Sequence, residues 1–418
     1  MRITTLLNNC YYLKSFVYHN ERLEQIKGQI SLVFDLKPRK NSRPICSSCH
    51  RPGSVYDHSP QSRLFQFIPA WGYQVYFRYQ IRRVNCRQCG TKAEAVPWAQ
   101  GKHRLTTAYQ QFLAHWAKRL SWLEVARSFR TSWDHVFQSV KGAVEYGLQH
   151  RRMDNIEAIG IDEIQYGQGH QYLTLVYQID SGFKRLLYIG QKRTVKSLLR
   201  FFHELGERSC ERLRFICSDM WKPYLKVIKK KAPQALHILD RFHIVAQLNK
   251  AVDEVRRAEA KRLKEQGYEA LLKHSKYCFL KNESNLTDKQ HTTLNDLLQY
   301  DLKSVKAYLL KESFQAFWQY SSTHWAKAFL HQWCYRVMRS KLDPMKKFVG
   351  TIRRHEELMM NWFKAKKQYS SGVVEGLNRK VNLVTRKAYG FKSYEVLKIA
   401  LFHTMGQLPE PEITHRFF

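Results

Sequence analysis

Ile156-Glu-Ala-Ile-Gly-Ile-Asp162-Glu163-Ile164 is an apolar run that ends in acid, and it predicts a buried strand. The pattern around it predicts four more strands, of which the first two are joined by a turn at Asp180-Ser-Gly182. The five strands are expected over 156–164, 172–179, 183–189, 213–219 and 235–240, with helices over 195–202 and 221–231. Three strands, a helix, a strand, a helix and a strand are the order of a ribonuclease H-like (RNase H-like) α/β sheet, which carries functional groups at its strand ends.

Two acids, Asp162 and Asp219, stand where buried strands of this sheet end. A carboxylate beside an apolar core is costly unless a cation satisfies it, and two that converge repel each other. A divalent ion removes that repulsion, and hard oxygen ligands select Mg²⁺ or Mn²⁺ rather than zinc. The alternative is that each acid is an ordinary turn residue or helix cap, and Asp219 could cap the helix that contains Trp221. The pair in this strand order favours the metal site.

The sequence from about 242 to 368 has almost continuous helical spacing. One apolar stripe at this spacing consists of Val245, Leu248, Val252 and Val255. The predicted fold class is therefore an α/β RNase H-like core that is split by an all-α insertion.

Nine cysteines, an odd number without a secretory signal, indicate a reducing compartment rather than a disulfide framework. Four of them form two C-x-x-C pairs, Cys46/Cys49 and Cys86/Cys89, which place thiolates on one side of a tight turn for a structural, tetrahedral Zn²⁺. The sequence between the pairs is aromatic and β-branched, so we expect a zinc ribbon of two knuckles joined by a β-hairpin. Unrelated thiols or a redox pair are the alternative.

A helical segment with capping signals follows the ribbon. Ser121-Trp-Leu-Glu124 is a capping box, and Ser132 is placed to cap the next helix. Two short helices around Arg130-Thr131 fit a helix-turn-helix whose last helix would enter the major groove of DNA. The side chains of that helix expected to face the DNA bases are His135, Gln138, Ser139 and Lys141. Any three-helix bundle gives a similar pattern, so the basic ribbon beside it strengthens the DNA-binding interpretation.

The charge balance points to a polyanion. The 418 residues contain 70 Lys+Arg against 35 Asp+Glu, a formal net charge of +35. A folded chain this basic most often meets nucleic acid, although a basic protein with solvated lysines is the alternative. No apolar run approaches the roughly 18 residues of a membrane span, so we expect no membrane and a cytoplasmic, nucleoid-associated protein.

Four blocks of the sequence resemble the ISL3 family of bacterial insertion-sequence transposases. These blocks are Gly160-Ile-Asp-Glu163, Ser218-Asp-Met-Trp-Lys-Pro-Tyr224, Asp240-Arg-Phe-His243 and Ser371-Gly-Val-Val-Glu-Gly-Leu-Asn378. The two cysteine pairs look like the family's zinc ribbon, and 105–141 looks like its helix-turn-helix. The resemblance covers essentially the whole chain, in order. One departure is Asn382, where this family would have a basic residue, and it bears on DNA contact rather than on chemistry.

The resemblance implies a DDE catalytic triad of Asp162, Asp219 and Glu375, with supporting roles for Asp240 and His243. Two Mg²⁺ or Mn²⁺ ions would be held by the triad, with Asp162 as the bridge. Glu163 is the alternative to Asp162, because neighbours on a strand point to opposite faces. The sequence behind Glu375 is free of acids up to Tyr394 and should hold the DNA backbone, unless it is a solvated helix surface. Its basic residues are Arg379, Lys380, Arg386, Lys387 and Lys392.

The expected domain order follows from these patterns. It is an N-terminal region with the zinc ribbon at 1–98, the helix-turn-helix at 99–150, the first part of the core at 151–245, the helical insertion at 246–368 and the core return at 369–418. We expect a transposase that binds terminal inverted repeats and target DNA as a dimer or higher oligomer, because two ends must be joined. The alternatives are an RNase H-like nuclease without transposition and a DNA-binding regulator with an inactive core.

Overall fold

The computed structural model describes residues 3–166, 171–268, 271–368, 371–388, 390–391 and 393–411. The chain divides into two compact units, one from Met1–Arg151 with Asn382–Phe418 and one from Arg152–Val381.

The first unit contains two small β-sheets. Helix α1 (Ile3–Cys10) precedes seven strands, which are β1 (Phe16–Ile26), β2 (Gln29–Pro38), β3 (Ser54–His58), β4 (Arg63–Ala70), β5 (Tyr73–Tyr79), β6 (Arg82–Cys86) and β7 (Gly90–Ala93). One sheet has the order β1-β2-β5-β4, and the other has the order β3-β6-β7. Only the β2–β5 pair is parallel, and the other pairs in these sheets are antiparallel.

The hairpin between the two knuckles differs from the expected ribbon hairpin. Strands β4 and β5 do form a hairpin, but it pairs with β2 in the larger sheet and leaves β3, β6 and β7 as the ribbon's own sheet. The reason is that this hairpin carries large apolar side chains that must be covered. Phe65, Phe67 and Phe77 are all buried. They need the core that β1 and β2 supply, and Trp98 completes it.

Three helices follow the sheets in the first unit, and their caps confirm the capping signals. They are α2 (Thr107–Ala117), α3 (Trp122–Ser128) and α4 (Trp133–His150). Ser121 and Glu124 form the full capping box of α3, and the Ser132 side chain accepts from the His135 N–H at the start of α4. The C-terminal α16 (Tyr394–Met405) packs against α4.

The second unit is built on a five-stranded sheet of order β10-β9-β8-β11-β12. Its strands are β8 (Ala158–Gln165), β9 (Tyr172–Asp180), β10 (Phe183–Gln191), β11 (Phe215–Ser218) and β12 (Leu236–Leu239). Strands β8, β9 and β10 run antiparallel, whereas β11 lies parallel to both β8 and β12. Helices α5 (Val195–Leu205), α6 (Glu207–Arg212) and α7 (Lys222–Lys231) connect them. The predicted order of strands and helices is confirmed, with α6 as an addition.

Within the described residues, seven α-helices follow β12 before the helix that begins at Ser371. They are α8 (Arg241–Glu265), α9 (Lys276–Leu280), α10 (Asp288–Leu298), α11 (Lys303–Gln315), α12 (Thr323–Met338), α13 (Asp343–Arg354) and α14 (Glu356–Lys364). They share one core around Phe314, Trp333 and Phe348. The long helical pattern is thus confirmed, and α8 begins directly after Asp240. Helix α15 (Ser371–Lys387) follows.

Helix α15 rests on the sheet through a buried stripe. Val374, Leu377 and Val381 are buried at helical spacing. A Cβ placed on Gly160 of β8 would lie 2.3 Å from Cγ2 of Val374, so the glycine is what lets the helix approach the strand. Among the residues that the structure describes, none of the helices has the length and apolarity of a membrane span.

Candidate active site and zinc site

The two faces of β8 carry different acids. Ile159 and Ile161 belong to the core under α5 and α7, whereas Gly160 faces Val374 of α15. Because side chains alternate along a strand, Asp162 lies on the face covered by α15 and Glu163 on the face covered by α5 and α7. The contacts of both carboxylates agree with this assignment.

Asp162 is held by α15. Its Oδ2 accepts from Nδ2 of Asn378 at 2.5 Å, and its Oδ1 accepts from the N–H of Glu163 at 2.8 Å. The Asn378 amide is oriented in turn by the buried Tyr177, whose hydroxyl donates to Asn378 Oδ1 at 2.7 Å. Burial raises the pKa of Asp162, and the N–H donor, His243 and Asn378 oppose that shift. Asn378 therefore fixes one carboxylate oxygen of Asp162 and docks α15 onto the sheet.

Asp219 lies one residue beyond β11. Its Oδ1 accepts from the N–H of Trp221 at 3.0 Å, whereas Trp221 itself is the N-cap residue of α7. Its Oδ2 accepts from Nη2 of Arg193 at 2.5 Å. Asp219 is thus a turn residue before α7 whose second oxygen is held by a cation.

Arg193 also approaches Glu163. Its Nε lies 3.0 Å from Glu163 Oε1, although the two are not aligned for a hydrogen bond. Burial raises the pKa of Glu163 to about 7, and the neighbouring charge of Asp219 adds to that rise, whereas Arg193 opposes it. Two nearly buried carboxylates therefore share one guanidinium.

Glu375 lies in α15, three residues before Asn378. Its Oε1 pairs with Nη2 of Arg379 at 2.7 Å, one helical turn later. The helix that is joined to Asp162 by Asn378 therefore also carries Glu375 on a neighbouring part of its surface.

The three carboxylates of the expected triad are not gathered into one cluster. Over the described ranges, four cysteines form the one group of three or more potential metal ligands that lie close together. Asp162, Asp219 and Glu375 are held by Asn378, Arg193 and Arg379 instead. Their oxygen donors suit Mg²⁺ or Mn²⁺ chemically, but the arrangement does not fit one shared ion.

Asp240 and His243 lie at the start of α8. Oδ1 of Asp240 accepts from the N–H of Phe242 at 2.7 Å and caps the helix, while its Oδ2 lies 3.7 Å from Nε2 of His243. Both residues act electrostatically on Asp162, His243 favouring its ionised form and Asp240 opposing it. The structure thus brings this pair near the first acid.

The four cysteines of the ribbon converge. The Sγ atoms of Cys46, Cys49, Cys86 and Cys89 all lie within 4.8 Å of one another, and Cys49 and Cys86 are 3.5 Å apart. Thiolates around a tetrahedral zinc ion are about 3.8 Å apart, given a Zn–S bond of about 2.3 Å. The backbone N–H groups of Cys89 and Gln88 lower the pKa of Cys86 to about 7, which favours the thiolate that zinc needs. The donor set therefore fits a structural zinc ion.

The residues expected to read DNA on α4 differ in accessibility. Gln138 is exposed, whereas His135 is half-buried and its Nδ1 lies 3.0 Å from the Thr131 hydroxyl. Lys141 lies 3.8 Å from a carboxylate oxygen of Glu145. Ser139 is buried, and its hydroxyl donates to the His135 carbonyl at 2.7 Å, so the expectation that it contacts bases is corrected. Helical period explains the difference, because Ser139 lies on the same face as the core residues Val136 and Val140.

The expected basic segment behind Glu375 is mostly exposed. Arg379, Lys380, Arg386 and Lys387 all lie on α15 with exposed side chains, although Arg379 already pairs with Glu375. Arg386 and Lys387 stand in the last turn of the helix, where cations also favour the helix dipole. Lys392 lies outside the described residues.

Comparison with known proteins identifies the family. The sequence model of the ISL3 transposases matches residues 159–401, which is more than half of the chain. The chain belongs to the ISL3 family of transposases. The model of the zinc-finger of transposase IS204/IS1001/IS1096/IS1165 matches 42–89, which contains all four ribbon cysteines.

The chain aligns with two transposases over most of its own length and most of theirs. The transposase for insertion sequence element IS1001 of Bordetella parapertussis is 26% identical over 341 residues, which cover 81% of this chain and 83% of that protein. The transposase for insertion sequence element IS1557 of Mycobacterium tuberculosis is 29% identical over 405 residues, which cover 90% of this chain and 89% of that protein.

Sequence reasoning missed three residues of the candidate active site of this ISL3 transposase. Asn378 is the last residue of the block 371–378, which was considered only for Glu375. Its position one helical turn after Glu375 could have indicated that the two side chains lie near each other. Tyr177 resembled an ordinary core residue of an apolar strand. Arg193 gave no signal, because it is one of 70 Lys and Arg residues.

Proposed function

We propose that this ISL3 transposase binds the terminal inverted repeats of its insertion sequence, cleaves DNA there and joins the ends to target DNA. The catalytic carboxylates would be Asp162, Asp219 and Glu375 on an RNase H-like core. The observation that carries the assignment is the docking of α15, in which Asn378 bonds Asp162 one helical turn from Glu375. This contact links the first and third acids, although they are 213 positions apart in the sequence (375 − 162).

The side chain of Asp162, rather than that of Glu163, would serve the site. Asp162 shares its face of the sheet with α15, and therefore with the helix of Glu375. Glu163 contacts Arg193 and lies on the face of α5 and α7. Asp219 stands one residue beyond the end of β11, the strand directly beside β8.

Mg²⁺ or Mn²⁺ would be held by these three carboxylates, in the set of two ions that the family resemblance implies. Divalent ions in such sites lower the pKa of a water or hydroxyl and stabilise developing charge on oxygen. In this structure Arg193 pairs with Asp219 and Arg379 pairs with Glu375, so both pairs would have to open for these carboxylates to bind the ions. Zinc would have a separate, structural role at the four cysteines.

DNA would be bound by the zinc ribbon and by a helix-turn-helix made of α3 and α4. The exposed Gln138 is the best placed of the expected base contacts, with His135 and Lys141 beside it on the same helix. Arg379, Lys380, Arg386, Lys387 and Lys392 would hold the phosphate backbone. Self-association as at least a dimer is needed to bring two ends together.

The test is cleavage of DNA that carries the element's ends, in Mg²⁺ or Mn²⁺. Asp162→Asn, Asp219→Asn and Glu375→Gln should each abolish cleavage and leave end binding intact, because the carboxylates would act in chemistry rather than in recognition. Glu157→Gln is the matched control, since Glu157 is an exposed acid directly before β8 that pairs with Arg214. Unchanged cleavage in any of the three variants would contradict the assignment.

One observation favours a second candidate function. Because the three carboxylates are separately bound, a DNA-binding regulator with an inactive core fits the arrangement. In that case the unaltered protein would bind end-containing DNA but would not cut it at any Mg²⁺ or Mn²⁺ concentration. Cutting that does not depend on terminal repeats would instead indicate a plain nuclease.

A further inference from the structure

Two tight turns lie side by side at one end of the four-stranded sheet of the first unit. Lys27-Gly28 joins β1 to β2, and Trp71-Gly72 joins β4 to β5. All four residues have φ between 50° and 83°, and two-residue type I′ hairpin turns require positive φ at both positions. The strands that leave these turns, β2 and β5, are parallel neighbours, so both turns are at the same end of the sheet.

Trp71 is an unusual residue for such a turn. Asn, Asp and Gly are the usual residues where φ is positive, because a bulky side chain is strained in the left-handed region. The fold gains little from the indole in return, since Trp71 is 68% exposed, the highest value among the large hydrophobic residues that the structure describes. A strained position with an exposed aromatic ring indicates a contact with another molecule.

The surroundings of the two turns suit a polyanion. Lys27 is exposed, and the sequence is free of acids over 25–34 and 63–93. The last acid of β1, Glu24, already pairs with Arg78. The exposed apolar side chains on the strands beside the turns are Leu23, Ile30 and Tyr73. Basic and aromatic groups without acids are typical of a surface that binds nucleic acid.

The helix-turn-helix lies next to the same turns. Gln74, two residues beyond the second turn, is buried, and its Nε2 donates to the carbonyl of Phe129 at 3.3 Å. Phe129 is the C-cap residue of α3 and leads into the turn before α4. Burial lowers the pKa of His135 in the first turn of α4, and Lys27 adds to that effect whereas Asp134 opposes it. The two hairpin turns are therefore held beside the end of α4 that is expected to face DNA.

We propose that the two turns form a wing that binds DNA beside the helix-turn-helix, with Lys27 on a phosphate and the Trp71 ring against the sugars of the same strand. The inference rests on the proposed function, in which α4 binds the terminal inverted repeats. The wing belongs to the sheet β1-β2-β5-β4, so it is separate from the zinc ribbon and its sheet β3-β6-β7. Contacts with phosphate and sugar fix the position of a protein on DNA without reading bases. The wing should therefore strengthen binding and lengthen the DNA site.

The experiment measures the affinity of the zinc-loaded, full-length protein for labelled end DNA by fluorescence anisotropy. Trp71→Asn should lower the affinity about tenfold, because the apolar surface of the ring can no longer be buried against DNA. Asparagine suits a type I′ turn, so urea denaturation should show no loss of stability. Lys27→Asn also suits its turn, and it should reduce the salt dependence of log affinity by about one unit. Trp325→Ala is the matched control, since this exposed tryptophan lies on α12 of the second unit and should leave the affinity unchanged.

A hydroxyl-radical footprint on end DNA supplies a readout that a purely structural role would not change. Trp71→Asn should keep the protection at the α4 contact and lose the protection of the backbone beside it. If Trp71→Asn does not fold, the same footprint of Lys27→Asn decides the question.

Gln138→Ala separates this inference from the function on which it rests. If Gln138→Ala, Trp71→Asn and Lys27→Asn all bind as the unaltered protein does, the helix-turn-helix is not the DNA-binding element and the inference fails with it. If only Gln138→Ala binds more weakly, the helix-turn-helix stands and the wing alone is overturned. Loss of a dimer by Trp71→Asn in sedimentation velocity without DNA would also overturn the wing, because its surface would then bind a second copy of the chain.

Discussion

Glu94 is the only acid between His58 and Leu123, and its contacts are structural. It is 5% exposed, and it accepts from the N–H of Arg82 at 2.8 Å and from Arg82 Nε at 2.9 Å. The Tyr79 hydroxyl donates to the same carboxylate. One buried acid therefore joins β5, β6 and the end of the ribbon in a stretch that is otherwise basic.

Glu94→Gln should be strongly destabilising, because it leaves the Arg82 charge buried without a partner. We expect a loss of about 3–5 kcal/mol in the free energy of unfolding, measured by urea denaturation of the zinc-loaded protein. Glu24→Gln is the control, since Glu24 pairs with Arg78 at a more exposed site and should cost less than about 1 kcal/mol. Equal effects of the two substitutions would show that Glu94 is not a structural acid.

His237 predicts a pH dependence of stability. It is buried in β12, with Nε2 2.7 Å from the Ser218 hydroxyl, and burial lowers its pKa from 6.5 to about 4, with a smaller contribution from His355. The folded protein therefore disfavours the charged ring, so the stability contributed by neutral His237 is complete above pH 6.5 and is lost as pH falls towards 4. The loss amounts to about 3 kcal/mol.

His237→Gln should remove this part of the pH dependence. Urea denaturation at pH 7 and at pH 4.5 would show a smaller difference in the variant than in the unaltered protein. His19→Gln, at an exposed position of β1, should behave as the unaltered protein does. An identical loss of stability in all three proteins would contradict the buried neutral histidine.

Single residues were predictable where their signal is local. The two C-x-x-C pairs and the Ser121–Glu124 capping box are written within four positions, and the structure forms both. The bond between Asn378 and Asp162 joins residues 216 positions apart, and no short pattern contains it. Pairings of this kind depend on where α15 crosses the sheet, which a single sequence does not encode locally.

At the scale of elements, α15 links the sheet to the third acid, and Gly160 controls its approach. Gly160→Ala would place a methyl group 2.3 Å from Cγ2 of the β-branched Val374, so the helix must shift. We expect a loss of about 1–3 kcal/mol in stability, and a loss of DNA cleavage because Asn378 and Glu375 move with the helix. Cleavage of end-containing DNA and urea denaturation measure the two effects.

Gly376→Ala is the control within the same helix. A Cβ on Gly376 meets open space, so alanine should stabilise the helix by about 0.5–1 kcal/mol and leave cleavage intact. Cleavage by Gly160→Ala at the unaltered rate would mean that the position of α15 against β8 does not matter for activity.

Helix α4 carries an exposed polar residue, Gln138, next to a buried one, Ser139. Gln138→Ala should weaken binding to end-containing DNA by about 1–3 kcal/mol, because the exposed amide can reach base edges. Ser139→Ala should leave that affinity unchanged, since the hydroxyl is buried against the His135 carbonyl. Fluorescence anisotropy with labelled end DNA measures both, and a larger loss for Ser139→Ala would reverse this assignment of the helix face.

Elements were predictable where one pattern governs each of them. The order of strands and helices from β8 to β12 and the long helical segment agree with the structure. The partner of a strand was harder to predict, because pairing depends on surface that lies elsewhere in the chain. The β4–β5 hairpin shows this, since it joins β2 rather than the ribbon's own sheet.

At the scale of the whole molecule, a net charge of +35 stands beside a proposed catalytic site that consists of carboxylates. Several acids with key positions are buried or half-buried and are held by named partners, as Asp162, Asp219 and Glu94 are. Many bases are exposed, among them the arginines and lysines of α15. Lys141 of α4 is partly exposed. Among the described residues, the fully buried charges are three bases and two acids, so the exposed surface keeps the large positive excess of the composition.

This distribution predicts a steep salt dependence of DNA binding. Contacts with about 6–10 phosphates release counter-ions, so affinity should fall by about 10³–10⁵ between about 50 and 200 mM salt. Gln138→Ala should lower the affinity without changing that slope, because it removes a neutral contact, whereas Lys380→Ala should reduce the slope by about one unit if Lys380 meets a phosphate. A fall of less than tenfold in the unaltered protein would show that the excess charge serves solubility rather than the DNA backbone.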